Sequence, residues 1–585
     1  MSHRLRALTR PVIALLALAS SAIGIVNQFT YDDRYIVERN PAVQSLAGWW
    51  SGFASPYWPQ ILGGDGYRPL TILAFKLEWA LGGGRPAVFH AVNIGLYVAA
   101  SLLVLAVARR ILPLWAAWLC AALFAVHPVH VEAVANVVGQ SELIVAIAML
   151  ASTLLYLHAR SQSVFTARTV FGIAALYLVA CFSKEHGIVL PGLLIAAELT
   201  VVDDASPTRD RARKLAPLFA ALTTIAIAFI VIRSRVLADH DITGFQPFTA
   251  FASLHLGARD RVLTAVSVVP QWARLLFWPA HLSSEYGPPE LEIAQGLSAL
   301  QIPGFLLLAT ILGVGVALRK RQPVIAFGIA IVCVTLFPSS NFLVPAGILL
   351  AERTLFLPSI GAMLIVGATA VYGAGVVKRM PRSRPRMLTF AGAAVLMAVL
   401  IAAMVRSSRR TRVWRDNDTL FRQAVIDSPR AYRAHYMLGA WAFENNRLRE
   451  GETEYRKALN LFPYDPYLSY NMAEQYRNRR MWKAALPMYR WTFGLDKSFP
   501  LGRTAYAMCL LEADQYDEAR SMALESLQHG GDAKIIRSLV AAADSLIAER
   551  AKQPKVAAVA TTNVPGKVPE SMQKAGRNSG RGGGS

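Results

Sequence analysis

Long apolar runs fill most of the first 405 residues, and they constrain the fold more than any other feature. Eleven runs are predicted to cross a membrane: 11–27, 86–107, 113–127, 139–158, 169–183, 187–202, 215–233, 299–318, 323–337, 354–377 and 388–405. A spanning helix needs about 20 apolar residues, so the ends of the shorter runs are approximate. Only 17% of the residues are charged, against about 25% in soluble domains. The sequence therefore predicts an all-α, polytopic membrane protein with a soluble C-terminal part.

The basic residues indicate the orientation of these spans. The net charge is +22, but Lys and Arg lie mainly in short loops between apolar runs, which is typical of topology rather than nucleic-acid binding. All basic loops fall on one side if residues 262–281 do not cross, so we predict a re-entrant or interfacial segment there. The N-terminus is then cytoplasmic and the chain after 405 lies on the opposite face, in a bacterial inner membrane or, alternatively, the endoplasmic reticulum. A cleavable signal peptide is the alternative interpretation of 11–27.

Residues beyond 405 follow a different pattern with a period of 34 residues. Small residues recur at this spacing: Gly439, Ala473 and Ala507, and again Gly451, Ala485 and Ala519. This period is typical of tetratricopeptide repeats, and it predicts a repeat domain over 406–549 with units at 432–465, 466–499 and 500–533. Stacked helix pairs form a concave surface that usually binds an extended polypeptide. The basic tail 550–585 is predicted to be disordered.

Two adjacent carboxylates, Asp32 and Asp33, follow the first apolar run within the polar, aromatic-rich loop 28–66. A carboxylate can act as general base toward a hydroxyl group within hydrogen-bond reach. The alternative is a solvated turn after a membrane helix. Two segments are predicted to be interfacial helices. Residues 43–58 of this loop are rich in aromatic side chains, and residues 70–81, just after it, are too short to span a membrane.

Further charged residues are predicted on the same face, where membrane runs end or begin. His127, His130 and Glu132 lie between two runs, and Glu142 begins the next one. Imidazole and carboxylate groups suit a metal, but no third ligand follows at a familiar spacing. We therefore predict that these residues line a polar pocket, since ionisable groups near hydrocarbon are commonly functional.

Two more clusters on this face contain a basic residue. Lys184, Glu185 and His186 separate two apolar runs, and Glu352 and Arg353 precede another. Arg binds phosphate in a bidentate manner and Lys contributes a compact charge, so both suit the phosphate of a polyprenyl-phosphate. The alternative is that each side chain extends from a helix end to the membrane surface, which explains Lys184 better than Arg353.

Five short motifs, taken in order and followed by the repeats, resemble the transmembrane and tetratricopeptide-repeat O-mannosyltransferases over roughly residues 12–540. The motifs are Tyr31-Asp32-Asp33, Tyr67-Arg68-Pro69-Leu70, His127-Pro128-x-His130-x-Glu132-Ala133-Val134, Ser183-Lys184-Glu185-x-Gly187 and Glu352-Arg353-x-Leu355-x-Leu357-Pro358-Ser359. The first also resembles the acidic motif of the GT-C glycosyltransferases.

The resemblance implies a GT-C membrane domain over 1–405 that transfers a sugar, usually mannose, from a dolichyl- or polyprenyl-phosphate to Ser or Thr hydroxyls. Asp32 or Asp33 would be the catalytic base, with Asp32 preferred, and Lys184 and Arg353 would hold the donor phosphate. The predicted pocket lining combines further motif residues with the neighbouring Glu142 and His186: Tyr67, Arg68, His127, His130, Glu132, Glu142, Glu185, His186 and Glu352. No cofactor or metal is expected, and the lipid-linked sugar is a substrate.

Two other functions stay open from the sequence. One is a GT-C enzyme that glycosylates a glycolipid or polysaccharide, and the other is a non-catalytic membrane scaffold with a peptide-binding repeat domain. A transporter is disfavoured, because the polar residues are predicted to gather on one face rather than at the middle of the membrane, where transporter sites lie.

Overall fold

The structure is a computed structural model that describes residues 3–59, 65–162, 165–240, 256–378 and 384–552, together with 251 and 254. Throughout these residues the regular elements are helices and no strand occurs, which confirms the predicted all-α class. The chain divides into two compact units, Met1–Leu501 and Gly502–Ser585. Most of the predicted disordered tail, from 553 onward, lies outside the described residues.

Among the described residues, seven helices are long and apolar enough to cross a membrane: Leu8–Val26, Pro86–Ile111, Val137–Ser161, Thr208–His240, Ala299–Leu318, Glu352–Val377 and Phe390–Val413. An eighth crossing forms if Leu114–Ala125 and Pro128–Ala135, which meet at 48°, act as one bent span. The chain is therefore a multi-pass membrane protein, as the hydropathy predicted.

Three of the predicted spans are shorter helices. Ala167–Ser183 and Pro323–Ser339 are apolar but below spanning length, and residues 187–202 contain the helix Leu190–Thr200. The predicted total of eleven crossings stays a prediction, because length and composition alone account for seven or eight.

The loop after the first span is only partly helical. Pro69–Gly82 confirms the helix predicted at 70–81, whereas residues 43–58 contain a single short 3₁₀ helix, Trp49–Ala54. The segment predicted not to cross, 262–281, lies largely within the helix Ala258–Phe277, which is not among the candidate spans.

The last membrane helix extends beyond the predicted domain boundary at 405. It runs from Arg384 to Val413, because residues 406–413 contain no Pro or Gly that would end it. Hydropathy therefore marks where the chain leaves the hydrocarbon rather than where the helix ends. A short helix, Asn417–Asp427, follows.

Helix pairs follow in the predicted register. Tyr432–Glu444 pairs with Leu448–Leu461 and Pro466–Asn478 with Trp482–Leu495, so the two pairs begin 34 residues apart. In the second unit, the helices are Arg503–Glu512, Tyr516–Gln528 and Ala533–Lys552. The first of these begins three residues after the predicted unit start, because Pro500 and Gly502, whose φ is 87°, keep the preceding residues out of the helix.

The repeating small residues allow close packing within a helix pair, and this can be tested at Gly451. A Cβ atom there would lie 2.7 Å from the ring of Phe443. We expect Gly451→Val to destabilise the helix pair by about 1–3 kcal/mol, because overpacking forces helices apart. Thermal unfolding followed by circular dichroism should show a lower Tm. Gly494→Val is the matched control, since nothing lies within 4 Å of a Cβ atom at that position; equal effects at both glycines would contradict the packing argument.

Candidate active site

Two cavities in the first unit meet at Asp32. The cationic cavity, of about 260 Å³, is lined by membrane-domain residues that include Arg68, Lys184 and Arg353. The repeat-side cavity, of about 560 Å³, lies between the first loop and the first repeat helices. Asp32 and Arg353 line both cavities. A group in one cavity can therefore meet a group in the other beside the Asp32 carboxylate.

Asp32 lies in a tight turn that follows the first membrane helix. Its carbonyl oxygen accepts hydrogen bonds from the backbone N–H groups of Tyr35 at 3.1 Å and Ile36 at 3.0 Å. Burial raises the pKa of Asp32 to about 6, and Arg353 and Arg433 oppose part of this rise. The carboxylate is thus ionised at neutral pH and is a stronger base than an ordinary Asp, which suits proton transfer near neutrality.

Asp33 has a different environment, although it is the neighbouring residue. It is fully buried and accepts backbone N–H hydrogen bonds from Thr30 at 3.2 Å, Val137 at 3.1 Å and Val138 at 2.8 Å. Burial raises its pKa to about 8, against the effect of these three donors. Asp33 lines neither of the two cavities. Its contacts hold the first loop against residues 137–138, so the geometry argues against Asp33 as the base.

The cationic cavity combines predicted residues from five parts of the chain. Lys184 is paired with Glu142, and Nε2 of His186 lies 3.1 Å from Oε2 of the same Glu142. All three side chains line the cavity. Burial lowers the pKa of Lys184, while Glu142 counteracts this and favours the charged ammonium.

Each of the two arginines of the cavity is paired with a carboxylate that lies outside the cavity lining. Arg353 is paired with Glu132, whose Oε2 also accepts the Arg353 backbone N–H at 2.9 Å. Nε of Arg68 donates to Oε2 of Glu185 at 3.0 Å. Glu132 and Glu185 do not line the cavity. Because a guanidinium has five N–H donors, each arginine can bind a partner in the cavity while keeping its carboxylate.

Six predicted pocket residues line neither of these cavities. Two of them, Glu132 and Glu185, pair with the arginines, and the other four make contacts within the fold. The ring of His130 bonds to Tyr97 Oη at 3.0 Å and Ser359 Oγ at 2.8 Å, and His127 Nε2 lies 3.0 Å from the Leu276 carbonyl. The other two residues are Glu352, which accepts from Tyr286 at 2.6 Å, and Tyr67, which donates to the Phe53 carbonyl at 2.8 Å. These contacts direct the four side chains into the protein, and their predicted place in the pocket lining stays a prediction.

Metal binding was the alternative for part of this region. In the ranges that the structure describes, no group of three or more His, Cys, Asp or Glu side chains is arranged to hold a metal ion. The expectation that the chain needs no metal stays a prediction.

Sequence reasoning missed the residues that the repeat segment contributes to the site. The repeat-side cavity is lined from this segment by Arg433, Tyr436, Trp441, Asp465 and Asn471, among others. The 34-residue period locates the repeat helices but contains no information about which surface contacts the first loop. This contact joins residues about 400 positions apart and is decided by tertiary packing.

The comparisons with known proteins agree with the motifs. Human protein O-mannosyl-transferase TMTC4 is 26% identical to this chain over 479 residues, which cover 73% of this chain and 63% of the human protein. Protein O-mannosyl-transferase F38B6.6 of Caenorhabditis elegans is 24% identical over 444 residues, 74% of this chain and 60% of that protein. The chain resembles these O-mannosyl-transferases. It spans about three fifths of their length.

A shorter stretch is more similar to an O-mannosyl-transferase. Protein O-mannosyl-transferase Tmtc2 of Drosophila melanogaster is 34% identical over 277 residues, 44% of this chain and 28% of that protein. No family model matches the chain. Among solved structures, the oligosaccharyltransferase AglB of Archaeoglobus fulgidus, in complex with an inhibitory peptide and a dolichol-phosphate, is 14% identical with a TM-score of 0.41 and covers 79% of this chain and 61% of AglB.

Proposed function

We propose that the chain is a membrane glycosyltransferase of the GT-C type. It moves a sugar, mannose, from a polyprenyl-phosphate to Ser or Thr hydroxyls of exported proteins. The observation that carries this proposal is the cationic cavity, where a carboxylate suited to act as a base shares one space with Lys184, Arg68 and Arg353. The O-mannosyl-transferase relatives support the same reaction class.

The cations suit the leaving group of this reaction. When the bond between the anomeric carbon and the phosphate oxygen breaks, its electron pair stays on the lipid phosphate, which therefore gains negative charge. Lys184 and Arg353 stabilise that charge, and the site needs no strong acid because the leaving group is already an anion. Arg68 adds a third cation at the same cavity.

Asp32 performs the proton transfer of the same step. The acceptor hydroxyl oxygen attacks the anomeric carbon from the side opposite the phosphate, and its proton moves to an Asp32 carboxylate oxygen. The configuration at the anomeric carbon is inverted in a single displacement. Asp33 holds the loop that carries Asp32, and no cofactor is required for either role.

The acceptor reaches Asp32 from the repeat-side cavity, which the first repeat helices line. A polypeptide acceptor suits a cavity of about 560 Å³ that combines aromatic rings with amide and charged groups. With the N-terminus cytoplasmic, this cavity faces the periplasm of a bacterial inner membrane, where exported proteins are present. The bilayer supplies the lipid-linked donor.

Glycopeptide mass spectrometry of envelope proteins tests this proposal. Cells that express the intact chain are compared with cells that express Asp32→Asn at equal level, and with Asp210→Asn as the control, because Asp210 is exposed and remote from both cavities. We expect hexose on Ser or Thr in the intact and Asp210→Asn cells and its loss in Asp32→Asn cells. An unchanged protein glycan profile with altered glycolipids would instead support a glycolipid acceptor. No change in either would support the scaffold.

A further inference from the structure

The residue before Asp32, Tyr31, has a left-handed backbone conformation with φ of 56°. A bulky non-glycine residue rarely adopts this conformation unless its surroundings impose it. The backbone N–H of Tyr31 donates to Oδ1 of Asn417 at 2.8 Å, and its hydroxyl donates to Oε1 of Glu285 at 2.5 Å. Since Tyr31 and Asp32 share a peptide bond, these contacts determine where the Asp32 carboxylate points.

Three residues that contact Tyr31 lie in the chain after the last membrane helix. Asn417 begins the helix Asn417–Asp427 and is 5% exposed. The Tyr31 ring packs against Trp414 and Phe421 of the same region, with ring centroids 6.4 and 6.2 Å apart. The soluble segment therefore contacts both the backbone and the ring of Tyr31.

Arg433 joins this arrangement through Glu285. Its Nε lies 3.5 Å from Oε2 of Glu285, whose other oxygen accepts the Tyr31 hydroxyl. Arg433 lies in the first turn of the helix Tyr432–Glu444 and lines the repeat-side cavity together with Asp32. The first repeat helix thus contributes one positive charge beside the first loop, which carries Asp32.

The first loop is also attached to the soluble segment on both sides of Tyr31. Before it, the Gln28 N–H donates to the Arg415 carbonyl at 2.9 Å. After it, Nη1 of Arg34 lies 3.2 Å from Oε2 of Glu444. These attachments reduce the freedom of the loop to adopt another conformation.

We propose that Tyr31 and Arg433 are positioning residues, through which the segment from 414 to 444 completes the catalytic site around Asp32. The assignment of Asp32 as the base rests on the proposed function. The soluble segment is then needed for the chemical step itself as well as for holding an acceptor. Residues 414–421 set the direction of the Asp32 carboxylate through Tyr31, and the first repeat helix sets its basicity through Arg433.

The direction of the carboxylate is tested with the purified full-length protein, mannosyl-phosphoryl-polyprenol and a synthetic Ser/Thr peptide. Tyr31→Phe keeps the ring but removes the hydrogen bond to Glu285, and we expect kcat to fall about 10- to 100-fold because the base is displaced. The KM for the donor should stay unchanged, because the cationic cavity is intact. Arg430→Gln is the control, since Arg430 is exposed and its guanidinium Nη2 lies 3.8 Å from Oε1 of Glu292, an exposed pair. A kcat for Tyr31→Phe equal to that of the control would overturn this role.

The basicity of Asp32 is tested at Arg433. The charged groups that act most strongly on the Asp32 carboxylate are Arg353, Arg433, Glu285 and Glu132. The titratable groups of Asp33, Tyr31, Tyr35 and Tyr57 also interact with it. Arg433→Gln removes a cation and leaves Glu285 without its partner. Both changes disfavour the carboxylate, so the acidic limb of the pH–rate profile should move to higher pH by about half a pH unit or more. Arg433→Lys keeps the charge and should restore the original limb.

A measurement without turnover separates this inference from the proposed function. Difference infrared spectroscopy can follow, against pH, the carboxyl band that disappears in Asp32→Asn. If this band shows a higher pKa for Asp32 in Arg433→Gln and the original pKa in Arg433→Lys, the repeat helix contributes to the basicity of Asp32. This holds even if no sugar is transferred. The opposite outcome is that the intact chain transfers the sugar, while Arg433→Gln changes neither the titration of the band nor the acidic limb. That outcome would overturn the role of Arg433 and leave the proposed function standing.

Discussion

Replacing Asp32 by Asn is expected to lower kcat for transfer to a Ser/Thr peptide by about 10²- to 10⁴-fold, the range typical of a lost general base. Asn keeps the size of the side chain but cannot accept the proton of the attacking hydroxyl. The pH dependence supplies a second signature. Because the pKa of Asp32 is raised to about 6 by burial, the rate of the intact enzyme should fall as pH decreases through 6. It should become nearly constant about one pH unit higher, where the carboxylate is almost fully ionised.

Two comparisons make this result specific to Asp32. Asp32→Glu retains a carboxylate and should keep more activity than Asp32→Asn. Asp33→Asn places an amide opposite three backbone N–H donors; we expect lower thermal stability, by about 1–3 kcal/mol, because at least one donor loses its acceptor. If Asp32→Asn kept more than about a tenth of the activity, proton transfer to Asp32 would not be part of the rate-limiting chemistry.

Replacing Lys184 by Met should lower kcat/KM for the lipid-linked donor by about 10²- to 10³-fold, as expected when one group that stabilises developing charge is removed. Lys184 lines the cationic cavity and is paired with Glu142. Its loss would therefore have two effects, because the phosphate loses a cation and Glu142 loses its lysine partner and keeps only His186. Transfer assays with a radiolabelled donor measure the first effect.

The double variant Lys184→Met/Glu142→Gln separates the two effects. It also removes the buried carboxylate that has lost its lysine, so thermal stability should recover while transfer should not. Lys457→Met is the matched control for loss of a Lys–Glu pair, because Lys457 lies 2.7 Å from Glu454 and lines neither described cavity. Recovery of transfer in the double variant would show that Lys184 serves only to neutralise Glu142.

The membrane half of the fold was largely predictable, because the signal is local. A helix in hydrocarbon must satisfy its own backbone hydrogen bonds, so a long apolar run at 86–107 can only be a helix, and it appears as Pro86–Ile111. The same argument is weaker for short runs such as 187–202, where length does not distinguish a span from a packed helix. It also cannot find the end of a helix that continues into water, as Arg384–Val413 does.

The sequence predicted which residue types occur at the candidate site, but it did not predict how their side chains are arranged. Lys184 and Arg353 were expected beside a carboxylate from their predicted common face, and they line one cavity with Asp32. His127 and His130 had the same expected location, yet their rings bond to buried groups. The way each short loop packs against the rest of the protein decides whether a side chain faces the cavity or the interior. A short loop has no periodicity from which this could be predicted.

By itself, the sequence determined the helical class, the membrane character, the 34-residue repeat and the residues able to carry charge at the site. These properties follow from hydrophobicity and spacing along one segment. The tertiary structure alone decided that Asp32 faces the cavities while Asp33 accepts three backbone hydrogen bonds. It also decided that Asn417 contacts Tyr31. The physical reason is that burial and long-range contact depend on how distant segments pack together.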